Sequence, residues 1–159
     1  MKKKILTLGM VLTLVAVLVA PGAVLATTEV TGDVVEGYTF TAPSAIELGS
    51  MTPGTPATGS STDGSLVGNN PAGYTVTGID EAVSDTGYMV SGANVLASKH
   101  EISDEDANYV NADTEKTFVD TSGPTDAAVS LYVSQDVAYT DTVATGYSIT
   151  ITFTVTPNA

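Results

Sequence analysis

The chain has 159 residues, 18 of them acidic and five basic, for a formal net charge of −13, and it contains neither cysteine nor tryptophan. That balance excludes nucleic-acid binding, which needs Lys and Arg to neutralise phosphates. Without cysteine there are no disulfides and no zinc–thiolate centre, so stability must come from a packed core.

The first residues read MKKKILTLGMVLTLVAVLVAPGAVLA. Lys2, Lys3 and Lys4 make a positive start, Ile5 to Ala20 an apolar run, and Pro21-Gly22 a break before Val24-Leu25-Ala26. This pattern predicts a secretory signal peptide over 1–26, helical in its apolar part and cleaved after Ala26. All 18 acidic residues follow Ala26, whereas the remaining basic residues there are Lys99 and Lys116, so segment 27–159 carries a net −16. Such a charge is repelled by an anionic membrane surface and keeps a chain soluble at the cost of self-repulsion. The expected location is secreted or cell-surface, with no membrane association after cleavage.

Beyond the leader, helical periodicity is absent and strand signals recur. EVTGDVV and GYTFTAP read as a first pair, AIELGSM as a short strand, and GYTVTGI as a strand with Tyr74 and Val76 on one face. GYMVSG, NVLAS and KTFVD are further short runs, and AAVSLYVSQDV places Val129, Leu131 and Val133 on one face. The closing GYSITITFTVTP alternates from Tyr147 to Val155 and is expected to be an interior strand, paired on both sides. Residues 49–73, GSMTPGTPATGSSTDGSLVGNNPAG, are expected as a long loop with at most a short strand at 65–67. Many short alternating runs separated by turn residues predict an all-β fold, a single antiparallel β-sandwich of Ig-like or jelly-roll-like form over 27–159.

Gly-Tyr occurs four times, at 37–38, 73–74, 87–88 and 146–147, each opening a run of β character. A turn glycine followed by a core-facing aromatic explains the pattern better than a carbohydrate-stacking platform, because the tyrosines share the alternation of the aliphatic residues.

Two places invite chemistry. Asp104 to Glu115, DEDANYVNADTE, puts Asp104, Asp106, Asn108 and Glu115 at positions 1, 3, 5 and 12 of a calcium loop. Tyr109 occupies the position of the obligatory turn glycine and no helices flank the segment, so it is not an EF-hand. A simpler site for a hard cation such as Ca2+, drawing on Asp104, Asp106, Asn108, Asp113 and Glu115, stands against a plain solvated acidic loop. His100 is the lone histidine and is expected to be exposed in a loop. No G-x-S-x-G turn, no set of zinc ligands and no phosphate-binding loop accompanies it, so an enzyme is not expected.

YTFTAPSAIELGSMTPG, GSLVGNNPAGYTVTG and the closing GYSITITFTVTP together resemble secreted bacterial cell-surface β-sandwich proteins of the WxL-like kind, although no W-x-L motif is present. The resemblance implies a cell-surface β-sandwich. The expected function is therefore a non-enzymatic structural or adhesive protein of the cell surface or extracellular matrix. Alternatives are a filament subunit that self-associates by strand addition, and a calcium- or carbohydrate-binding module.

Overall fold

The structure is a computed structural model. It describes residues 31–159 in full, and the segments 14–19 and 23–28 as backbone. The chain divides into two compact units, Met1–Val35 and Glu36–Ala159. In the first, β1 (Leu14–Val19) and β2 (Ala23–Thr28) pair antiparallel, Leu14 opposite Thr28 and Val19 opposite Ala23. The helix expected for the leader otherwise falls on residues outside the described ones; its described part is this hairpin.

The second unit is all-β with antiparallel pairing throughout. Its strands are β3 (Tyr38–Thr41), β4 (Ala57–Gly68), β5 (Tyr74–Ile79), β6 (Val90–Ser91), β7 (Asn94–Val95), β8 (His100–Ser103), β9 (Val110–Asn111), β10 (Lys116–Asp120), β11 (Thr125–Gln135) and β12 (Thr152–Pro157). A five-stranded sheet runs β3-β4-β11-β8-β9, a three-stranded sheet runs β10-β5-β12, and β6 pairs with β7. Leu66 of β4, Tyr74 and Val76 of β5, Val119 of β10 and Val129 of β11 form one buried cluster, so the two larger sheets contribute to a common core. Ile102, Ala112, Leu131 and Val133 form a second, against which Phe118, Ile149, Ile151 and Phe153 pack.

Several expectations are corrected. The segment 49–73 is not a loop throughout: Ala57–Gly68 is a twelve-residue strand, bonded to β3 on one side and β11 on the other. Its glycines are sites of close approach, as strand glycines often are. A Cβ at Gly68 would lie 2.4 Å from the Tyr74 ring, and one at Gly64 would lie 2.6 Å from the Val129 carbonyl oxygen. Between the pairs Val129↔Gly64 and Leu131↔Ser61, β4 spends one residue more than β11, a bulge that bends the strand. AIELGSM forms no strand, nor do residues 31–37. The closing strip is not interior: β12 begins at Thr152, pairs with β5 alone and is an edge of its sheet. Apolar alternation marks the face a strand turns inward and carries no information on how many neighbours it has.

Of the four Gly-Tyr pairs, Tyr74 is fully buried and behaves as expected, while Tyr38 is half exposed. Gly73 explains the first case. Its φ is +90°, and a Cβ there would meet the Thr121 carbonyl oxygen at 2.0 Å, so the turn that delivers Tyr74 to the core admits glycine alone.

Candidate functional site

One end of the Glu36–Ala159 unit is tied shut by hydrogen bonds. Tyr74 Oη donates to the Gly37 carbonyl (3.0 Å) and accepts from Asn70 N–H (3.0 Å). Asn158 N–H donates to the Gly73 carbonyl (3.0 Å), its Nδ2 to the Thr121 carbonyl (2.9 Å), and its carbonyl accepts from Asn70 Nδ2 (2.9 Å). Asn158 Oδ1 also accepts from Thr75 Oγ1 at 3.0 Å. The N-terminal end of β3 and the C-terminal end of β12 meet in this network.

The other end is open. Past Thr41 the chain continues through 42–53, and before Thr152 it arrives through 141–151; between these two segments lies a groove of about 950 Å³. Its floor is Leu131 and Val133 of β11 with Met89 and Leu96, and its walls carry Ile46, Leu48 and Met51 on one side and Tyr147, Ile149 and Ile151 on the other. Ile46 and Leu48 are half-buried while Ala45, Glu47 and Gly49 face solvent, and Ile149 and Ile151 alternate likewise with exposed Ser148 and Thr150. Both walls thus have the alternation of a strand without a partner strand. From 43 to 51, among the described residues, the bond to the backbone is a side-chain one, Ser44 N–H to Asp63 Oδ1 at 2.9 Å. On the opposite wall Ser148 exchanges two 3.0 Å bonds with Val90. Tyr139 and Val143, 86% and 101% exposed, lie in the loop that leads into the second wall.

The bulge in β4 sets one wall. It turns Asp63 toward the segment beside it, where the carboxylate accepts from Ser44 N–H, from the Ser44 hydroxyl and from the Ser61 hydroxyl. These hydrogen bonds hold the Asp63 carboxyl well below the usual carboxylate range.

His100 lies at the groove floor and is not the exposed loop residue expected: it opens β8, is 3% exposed and pairs with Gln135 on β11. Gln135 Nε2 donates to the carbonyls of Ser98 (3.1 Å) and Asp136 (2.6 Å). Its Oε1 is thereby the acceptor, and His100 Nδ1, 3.2 Å away, is the donor. Burial pushes the His100 pKa down, opposed by that bond and by the charge of Asp80. The backbone around it closes a circuit. His100 N–H donates to Gly87 O (2.7 Å), Gly87 N–H to Asp80 Oδ2 (2.6 Å), Asp80 N–H to Ala112 O (2.7 Å), and Ala112 N–H to His100 O (2.8 Å).

The residues expected to hold a cation are dispersed among other partners. Asp104 pairs with Lys116 at 2.8 Å, and Asp113 pairs with Lys99. Asp106 accepts from Tyr109 Oη at 2.9 Å, Asn108 donates to Glu105 at 2.6 Å, and Glu115 accepts from Thr77 Oγ1 at 3.3 Å. Partial burial pushes Asp104 up, but the hydrogen bond and charge of Lys116 outweigh it and hold the carboxyl below its ordinary value. Among the described residues no group of three or more His, Cys, Asp or Glu side chains converges on a point. Asp104 and Asp113 thus engage Lys116 and Lys99, the two lysines after residue 26.

No protein-family model, curated protein or solved structure matches this chain. The groove was partly legible: the alternation of both walls can be read in AIELGSM and GYSITIT, but their lack of ladder partners cannot.

Proposed function

We propose that this chain is a secreted, non-enzymatic structural protein of the cell surface or extracellular matrix. Its Glu36–Ala159 unit is read as an antiparallel β-sandwich that accepts an extended strand from another polypeptide in the groove. The observation that carries the reading is the groove itself. It is flanked by two alternating segments poor in ladder hydrogen bonds, and it continues the free edges of β3 and β12. An extended peptide laid there bonds to the walls through its backbone and places alternate side chains on the Leu131–Val133 floor, which is strand addition. Secretion is supported by the leader pattern, and the sandwich by the cluster that both larger sheets share.

The test uses a fluorescent nine-residue peptide alternating Val and Thr, titrated into protein purified from the medium of a secreting host. Saturable binding, lost in Leu48→Asp, is expected. Absence of saturable binding, together with purely monomeric protein by size-exclusion and electron microscopy, sinks the reading.

A further inference from the structure

We propose, resting on that reading, that the strand seated in the groove is drawn from residues 27–36 of a second copy of this chain, so that copies join head to tail. Length selects the donor. The wall 43–51 is nine residues long, and a strand rises about 3.3 Å per residue, so the groove asks for a donor of roughly eight or nine residues. With the leader removed after Ala26, TTEVTGDVVE precedes the fastened Gly37 and supplies ten. Its alternation sets Val30 and Val34 on one face with Gly32 between, and Glu29, Thr31 and Asp33 on the other. That gives two aliphatic anchors for the floor and a polar outer row. Val34 is 90% exposed in the isolated chain, so its apolar surface is left for a partner to cover.

The second copy, and not the same chain, follows from where the segment is fastened. Gly37 is held at the tied end: its carbonyl accepts from Tyr74 Oη, and its N–H donates to Asn69 Oδ1 at 2.7 Å. From there β3 runs toward the groove, so the chain preceding Gly37 starts at the far end. To fill its own groove, 27–36 must reverse, run back past 37–42 and then enter. A turn uses at least about two residues and the return about six more, leaving roughly two for the groove. A neighbouring copy has no such restriction. The C-terminal strip is excluded as donor because Asn158 is bound into the tied end. A contact that runs from the tied end of one copy into the open end of the next is heterologous and generates open filaments.

The absence of cysteine makes the test clean. Val34→Cys and Leu48→Cys are made in separate chains, secreted, purified, mixed and oxidised. A disulfide-linked dimer between the two variants is expected, and necessarily joins different copies. Val83→Cys, in an exposed loop outside the groove, replaces Leu48→Cys as the control and is expected to give at least about tenfold less dimer. Adding Val30→Asp to the Val34→Cys chain is expected to lower the yield at least about tenfold, since the site must then bury a charge. If copies associate, and Leu48→Asp stops them while Val30→Asp does not, the groove takes another strand and this inference falls while the reading above stands. If a chain carrying both cysteines closes on itself as a monomer, the second-copy donor is overturned. If no cross-link forms and the Val-Thr peptide does not bind either, both fall.

Discussion

Asn158 fastens the last strand of the chain through its backbone and both ends of its amide. Asn158→Ala leaves the Thr121 carbonyl and Thr75 hydroxyl without these partners, so a loss of about 1–3 kcal/mol in urea unfolding is expected; an unchanged midpoint would show the tie to be idle. His100 makes a pH prediction. Its pKa is lowered in the folded state by burial, whereas the unfolded chain takes up a proton near the ordinary value of about 6.5. Below that pH the unfolded state binds more protons, so stability is fully present above about 6.5 and declines as pH falls toward the folded-state value. Thermal melts from neutral pH into this window are expected to show the decline, and His100→Gln to flatten it. An equal slope in the variant would assign the effect to the carboxylates.

At the scale of elements, β4 and β12 carry the argument. Gly68→Ala places a methyl against the Tyr74 ring, where a Cβ would stand 2.4 Å from Cε2. Overpacking of this kind costs about 1–3 kcal/mol, and a variant as stable as the parent would mean that β4 is not pinned there. Phe153 packs against both clusters, 5.1 Å from Phe118 and 6.1 Å from Phe40 between ring centroids. As it is half-buried, Phe153→Ala is expected to cost about 2–4 kcal/mol in calorimetry, at or below the range for full burial. These two strands also show what a sequence displays. Strands rich in Val, Tyr and Leu, such as β5 and β11, are legible because their alternation is apolar. β4 is not, because Gly59, Gly64 and Gly68 look like flexibility when read alone. Their reason, the approach of Ile46, Pro43 and Tyr74, comes from other segments of the fold. The burial of His100 is hidden for a similar cause: its side-chain partner Gln135 lies 35 residues away.

For the molecule as a whole, charge bears on the proposed assembly. Segment 27–159 carries two lysines against eighteen acids, and both lysines are already paired with carboxylates. Copies that approach one another therefore repel, and the proposed donor adds Glu29, Asp33 and Glu36. Association is expected to strengthen with ionic strength, as screening shortens from about 30 Å at 0.01 M to about 8 Å at 0.15 M salt. Light scattering in sodium chloride and in calcium chloride of equal ionic strength checks it. Similar growth in both marks screening, whereas growth in calcium alone would point to a cation site. The all-β character and the acidity are legible in the sequence, because alternation and composition determine them. The open end is not, because it arises from pairing that stops.

The two ion pairs have one more effect. After residue 26 the chain has no arginine and lysine only at 99 and 116, so trypsin-like proteases have two peptide bonds to attack in that part of it. Lys116 begins β10 and Lys99 immediately precedes β8, each with its ammonium engaged by a carboxylate. Cleavage therefore requires local opening. The folded protein is expected to be a poor substrate and the unfolded one to yield fragments ending at 99 and 116, a digestion pattern that reports folding directly.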